Sequence, residues 1–224
     1  MGASLRVRLH AGCRVNVLVA CEYSGTVRDA FIAAGHEASS CDLLPTEAPG
    51  PHHQGDVVAL LRDTPDGWFD LIIAHPECTK LCVSGNHVYA AGKPRHAERL
   101  AAAAWTFDLW QLCKRKAHKV CFENPTGVLP TLTAMPRPQF VQPYNFGHDA
   151  SKATGLFLHN LPPLRNGRRV AGRLVVWNGK TVERWANQTD SGQNRLPPSD
   201  DRWKLRSTTY TGIAQAIAKQ WAKA

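Results

Sequence analysis

With 224 residues, 43% of them hydrophobic, and seven tryptophans, the chain can bury one substantial core, as a single domain or as one domain with a small lobe. A net charge of +9 favours an anionic partner such as nucleic acid, and no apolar run approaches the length that crosses a bilayer, which excludes a membrane-embedded function and leads us to expect a soluble protein. Seven cysteines, an odd number with several in apolar strand or helix positions, fit free thiols in a reducing cytosol better than a disulfide framework.

Residues 1–13 read as a loosely attached basic leader. An apolar run over 15–20 predicts the first strand. The turn Cys21-Glu22-Tyr23-Ser24-Gly25 leads into a helix that gathers Val27, Ala30, Phe31 and Ala34 on one face and ends at Gly35. Residues 37–41 predict a short second strand finishing at Asp42. This order of strand, small-residue turn, helix, strand and acid outlines a nucleotide-binding βαβ unit. It equally outlines an ordinary α/β turn, because only Gly25 stands where a G-x-G-x-x-G turn has three glycines. On the first reading Asp42 accepts hydrogen bonds from ribose hydroxyls. Gly55-Asp56-Val57 opens a third element and brings another acid to the same sheet edge.

The chain is organised around the stretch 69–79. The apolar run 71–74 is too short for a buried helix and stops before His75-Pro76, so it predicts a central parallel strand. Cys78 lies just beyond its carboxyl end, where open α/β sheets bind ligands, and a thiol there is a candidate nucleophile. Residues 119–122 predict a second apolar strand that ends at Glu123-Asn124-Pro125. Between them 95–116 reads as a helix, with Leu100, Ala103, Phe107, Trp110 and Cys113 at three- and four-residue steps. A strand–helix–strand crossover sets the two strands parallel, so Cys78 and Glu123 should emerge at one edge.

Residues 81–94 lack periodicity and read either as a mobile loop over the site or as a plain surface connection. Five prolines from 125 to 143 predict an extended irregular link, and 155–158 a further strand. A basic window follows, in which residues 164–206 hold ten Arg or Lys against four acids. Within it, 174–177, the turn Asn178-Gly179 and 181–183 predict a hairpin. Residues 210–221 predict a closing helix with Ile213, Ala216, Ile217 and Gln220 at helical spacing.

Taken together, these residues resemble the S-adenosyl-L-methionine-dependent cytosine-5 DNA methyltransferases, in the short form found in phages and prophages. Pro76-Glu77-Cys78 is similar to the Pro-Cys motif that carries the nucleophile, and Glu123-Asn124-Pro125 to the Glu-Asn-Val motif whose acid contacts the base. The segment 142–158, with Ser151-Lys152, looks like the motif that brings a basic residue near the base, and 208–217 like the closing motif that returns to the cofactor. The resemblance implies an α/β, Rossmann-like methyltransferase fold with a mostly parallel central sheet and a small, reduced C-terminal recognition region. Residues 14–163 and 207–224 would form the catalytic and cofactor-binding domain, and 164–206 the nucleic-acid-contacting segment. It implies Cys78, Glu123 and Lys152 as catalytic residues. S-adenosyl-L-methionine would be held by Cys21, Glu22, Tyr23, Ser24, Gly25, Asp42, Leu43, Asp56, Val57, His75 and Pro76, with no metal. Arg165, Arg168, Arg169, Arg173, Lys180 and Arg184 would contact duplex DNA with a flipped cytosine. Location would be the cytoplasm of a bacterial or phage-infected cell, and no obligate protein partner is implied.

The sequence departs from the family in three ways. Glu77 precedes the cysteine where the family has proline, and a carboxylate there opposes the thiolate unless it points away or is paired. The glycine-rich turn is reduced to Gly25. Only about 40 residues occupy the place of the target-recognition domain, which fits weak or short sequence specificity, or an RNA or nucleotide substrate. From another class, His75-x2-Cys78-x3-Cys82-x4-His87 has the residue types of a zinc-stabilised nucleic-acid-binding module.

Overall fold

The computed structural model describes residues 14–200 and 202–223; the leader over 1–13 lies outside them. In chain order the elements are β1 (Asn16–Ala20), α1 (Thr26–Ala33), β2 (Glu37–Asp42), β3 (His52–Gln54), α2 (Val57–Asp63) and β4 (Phe69–Ala74). There follow α3 (Asn86–Tyr89), α4 (His96–Lys116), β5 (Ala117–Pro125), α5 (Leu129–Leu132), β6 (Gln139–Val141) and β7 (Thr154–His159). The chain closes with β8 (Arg173–Trp177), β9 (Lys180–Arg184), α6 (Arg202–Ser207) and α7 (Thr211–Trp221). Strands pair in the order β3-β2-β1-β4-β5-β7-β6 in a seven-stranded sheet, and β8 pairs with β9 in a separate hairpin. The ladders from β3 to β5 are parallel, whereas β7 runs antiparallel to both its neighbours. This α/β architecture, with a mostly parallel mixed sheet, is compatible with a Rossmann-like fold.

Strand residues alternate between two apolar layers, as a pleated strand buried on both faces requires. Val17, Val19, Leu71, Ile73 and Cys121 pack with Val27 and Phe31 of α1 and Ile213, Ile217 and Trp221 of α7. Leu18, Ala20, Ile72, Ala74, Val120 and Phe122 pack with Leu61 of α2 and Leu109, Trp110 and Cys113 of α4. Because α1 lies on one face and α2 and α4 on the other, the connections after β1 and β4 diverge. A crevice therefore opens at the carboxyl ends of these neighbouring strands, the switch point at which such sheets bind ligands.

Several predicted elements are corrected. The α4 face does not include Leu100, which is 46% exposed; Arg99 is buried in its place. Its guanidinium donates to Lys80 O at 2.6 Å, Asn86 Oδ1 at 2.8 Å and Cys82 O at 3.2 Å. The 81–94 stretch, readable as a mobile loop or a plain connection, is thus tied to α4 and contains a 3-10 turn (Val83–Gly85) and α3. The proline-rich link is only partly irregular: it supplies α5 and the edge strand β6, lying between Pro138 and Pro143. An edge is where the missing N–H of a neighbouring proline is tolerated. Periodicity over so few residues gives neither element away. Arg28 of α1 is fully buried and donates to Ser40, Thr46, Ala48 and Pro49, pinning the crossover from β2 to β3. Among the described residues, no helix is long and apolar enough to cross a membrane.

Candidate active site

The register of β4 and β5 places Ala74 opposite Phe122. His75 and Glu123 follow as the next residues on neighbouring strands, and His75 Nδ1 lies 3.4 Å from Glu123 Oε2. Glu123 is 16% exposed at the side chain and sits on the α7 side of the sheet, where it lines a cleft with His75, Lys152, Thr209 and Tyr210. Lys152 Nζ donates to Thr208 O at 3.2 Å, and its backbone N–H is held by Gln142 Oε1 at 2.9 Å. Burial opposes ionisation of Glu123, but the hydrogen bond from His75 and the charge of Lys152 outweigh it and hold the carboxyl below its ordinary range. Desolvation by itself raises this carboxyl, but the net shift is downward, contrary to what a proton-donating role would require; in the free protein Glu123 is a hydrogen-bond acceptor.

On the opposite face of β5, Asn124 is buried and its Nδ2 donates to Pro76 O at 3.1 Å, fixing the turn that carries the nucleophile candidate. Beyond it the chain makes a tight turn in which the N–H groups of Leu81 and Cys82 both donate to Cys78 O, at 3.0 and 2.9 Å. Gly127 lies against this turn so closely that an added Cβ would sit 2.3 Å from Leu81 O. Hydrogen bonding to Cys82 and burial push the Cys78 thiol up; Glu123 adds to this and Lys152 opposes it. Cys78 does not line the Glu123 cleft, yet its thiol responds to the charges of both Glu123 and Lys152. Glu77 is exposed and is not among the charges acting on that thiol; the carboxylate that matters is Glu123, brought in from β5.

At the other half of the crevice, Cys21 takes φ 57° directly after β1, and burial, reinforced by Asp42, Cys41 and Asp56, pushes its thiol up to about 12. Glu22 is buried with both carboxylate oxygens at the start of α1, accepting from Val27 N at 2.7 Å and Arg28 N at 3.2 Å. It therefore works as a helix cap. Ser24 is bonded to Glu22 and Thr26, and Tyr23 Oη lies 3.2 Å from Ser207 Oγ. Gly25 is required by its own chain: it caps α1 at φ 74°, and a Cβ there would meet the Arg28 guanidinium at 2.4 Å. Asp42 ends β2 beside Leu43, which is 73% exposed. Asp56 is an exposed N-cap for α2 through Val58 N, and Val57 is buried in the core.

Three buried side-chain atoms among the described residues have no hydrogen-bond partner, and two of them, His75 Nε2 and Asn124 Oδ1, stand at the ends of β4 and β5. Such orphans are few in native proteins and each costs about 1–3 kcal/mol unless something completes it. A ligand in the crevice is one way to complete them. No three His, Cys, Asp or Glu side chains among the described residues converge as a metal site requires. His87 Nδ1 lies 3.0 Å from Ser84 O, so the zinc-module reading has no assembled ligand set.

The chain matches no protein-family model and no curated protein sequence.

The basic segment divides into engaged and free cations. Arg169 pairs with Glu183 and lies over the Tyr144 ring; Arg173 pairs with Asp190 at 2.7 Å; Arg184 donates to Asp190 O and Glu183 O. Arg165, Arg168 and Lys180 are exposed, and their charged groups have no partner among the described residues, although Gln220 bonds the Arg165 backbone. Trp185 stacks on Tyr144 with ring centroids 3.8 Å apart and donates to Val170 O, which is a packing role, while Trp177 stays 42% exposed. Sequence reasoning missed Asn124, Arg99, Thr209 and Tyr210. Asn124 lies inside the Glu-Asn-Pro motif and Thr209 and Tyr210 inside the 208–217 segment, whereas Arg99 carried no signal.

Proposed function

We propose that the protein is an S-adenosyl-L-methionine-dependent methyltransferase that acts on C5 of cytosine in DNA, with a Rossmann-like methyltransferase fold. The observation that carries this reading is that Cys78, just beyond β4, and Glu123, in β5, stand at the carboxyl ends of the same pair of adjacent parallel strands, with Glu123 and Lys152 lining one cleft. Cytosine C5 is a poor nucleophile. Addition of the Cys78 sulfur to C6 makes the ring enamine-like, so that C5 becomes the attacking atom; once C5 carries its new group, loss of the C5 proton expels the thiolate. Glu123, ionised in the free protein, accepts from the exocyclic amine of the base, and Lys152 offers its ammonium to the O2 carbonyl oxygen as negative charge develops.

The crevice fits the cofactor in part. Asp42 offers a carboxylate to ribose hydroxyls, and the exposed Leu43 offers an apolar surface to a flat base. Glu22 and Gly25 support the turn from within and are not free to bind. S-adenosyl-L-methionine would supply an electrophilic methyl group there. In duplex DNA the cytosine must leave the stack, at a cost of a few kcal/mol, and the free cations Arg165, Arg168 and Lys180 suit the phosphates around it.

The test is incubation of the protein and cofactor with DNA, RNA and free nucleotides, followed by mass analysis of the bases. 5-Methylcytosine in DNA alone supports the reading; 5-methylcytosine in RNA or nucleotides alone moves the substrate, and none in any pool overturns it. DNA containing 5-fluorocytosine should trap a covalent adduct with the wild-type protein and none with Cys78→Ser.

A further inference from the structure

Lys152 reaches the cleft from a stretch of chain that no strand holds. The β6–β7 ladder ends at the pair Val141 and Thr154, so the backbone groups just before Thr154 need partners from elsewhere. Side chains supply them. Gln142 Oε1 accepts from the Lys152 N–H at 2.9 Å. Asn187 engages both backbone groups of Ser151: its Oδ1 accepts from the Ser151 N–H and its Nδ2 donates to Ser151 O, each at 2.9 Å. One side-chain amide thus does for Ser151 what a neighbouring strand does for a residue inside a sheet.

Asn187 belongs to the basic segment, 36 residues further along the chain. The contact is reciprocal. Asp149 Oδ1 accepts from the Ala186 N–H at 2.9 Å, so each strip of chain holds the other's backbone with a side chain. Asn187 is itself fixed from behind. Its carbonyl accepts from the Arg195 N–H at 2.9 Å, and two residues before it the buried Trp185 stacks on Tyr144. A functional side chain keeps its geometry when the residues behind it are locked by packing and hydrogen bonds. Lys152 has that support, and half of it comes from the segment.

We propose that Asn187 is a positioning residue for Lys152. It fixes the Ser151 backbone, and with it the place in the cleft from which the Lys152 ammonium acts; through it the basic segment contributes to the cleft itself. Asn187 touches no substrate and acts through Lys152 alone. Its effect on methyl transfer rests on the cytosine-5 reading above, but its hold on Lys152 does not.

The experiment compares full-length wild type with Asn187→Ala and Asn187→Leu in two measurements. Leucine keeps the volume of asparagine but neither hydrogen bond, and it serves if the alanine variant does not fold. The first measurement is steady-state methylation of DNA. A misplaced ammonium stabilises developing charge less well, so kcat should fall roughly tenfold to a hundredfold while KM for DNA stays within about twofold. A raised KM at unchanged kcat is the mark of lost uniform binding; it would assign Asn187 to DNA contact and overturn the proposal. In a Lys152→Met background, Asn187→Ala should lower kcat no further, because its effect runs through the missing ammonium. A second fall as large as the first would give Asn187 a separate structural role and likewise sink the idea. The other measurement needs no methylation: trace acetylation with acetic anhydride, read by mass spectrometry as labelling of Lys152 relative to the exposed Lys219. Lys152 Nζ is tied to Thr208 O, and once its backbone is loosened it should label at least about threefold faster in both variants. An unchanged ratio would overturn the proposal at any level of activity. A raised ratio in a protein that methylates no cytosine would leave the hold on Lys152 standing and remove the methyltransferase reading.

Discussion

The end of β4 and β5 and the basic segment 164–206 both carry charge, but they hold it in opposite ways. At the strand ends, Glu123, His75, Asn124 and Arg99 are largely buried, and each is fixed by a partner from another element. In the segment, Arg169, Arg173 and Arg184 pair locally around the hairpin of β8 and β9, and Arg165, Arg168 and Lys180 point to solvent. Buried partners set geometry, because moving one leaves an unpaired polar group at full cost. Exposed ion pairs set little geometry, being worth about 0–1 kcal/mol and screened by salt. The first region is suited to reaction and the second to loose electrostatic contact.

The largest effect that would test this contrast lies at Glu123. Under the proposed reaction, Glu123→Gln removes a charged hydrogen-bond acceptor worth about 1.5–3 kcal/mol and lowers methyl transfer by roughly 10–10²-fold with cofactor affinity unchanged by calorimetry; a variant at full rate would remove the carboxylate from the chemistry. Asn124→Ala deletes a buried hydrogen bond and is expected to cost about 1–3 kcal/mol in urea unfolding, whereas Arg173→Ala on the hairpin should cost less than about 1 kcal/mol. If the two costs are equal, the difference drawn between the regions is wrong.

A pH dependence sharpens the comparison further. The folded protein holds the Glu123 carboxyl low, so its stabilisation is present above the unfolded value of about 4.3 and is lost as pH falls through the folded value. The stability gap between wild type and Glu123→Gln should therefore shrink below about pH 4, and a gap that stays constant would mean that His75 and Lys152 do not hold the charge. The smallest effects belong to the free cations. Arg168→Ala or Lys180→Ala should each lower the slope of log affinity against log salt by about 1 without changing the melting temperature.

Short-range patterns were legible in the amino-acid order. The apolar runs that became β1, β4 and β5, the helix after Cys21-Glu22-Tyr23-Ser24-Gly25, the Asn178-Gly179 hairpin and the closing helix all follow from periodicity and turn chemistry acting over a few residues. So does the parallel pairing of β4 and β5, which leaves the carboxyl ends that carry Cys78 and Glu123 on one edge. What only tertiary structure decided depends on partners far apart in the chain. Arg28 and Arg99, polar residues on apolar helices, become buried clamps because distant carbonyls meet them. Glu22 is consumed in capping α1, β6 finds its place only beside β7, and the Glu123 carboxyl is held low because His75 and Lys152 reach it from other elements. Desolvation and pairing are properties of a folded neighbourhood, and no stretch of sequence carries them alone.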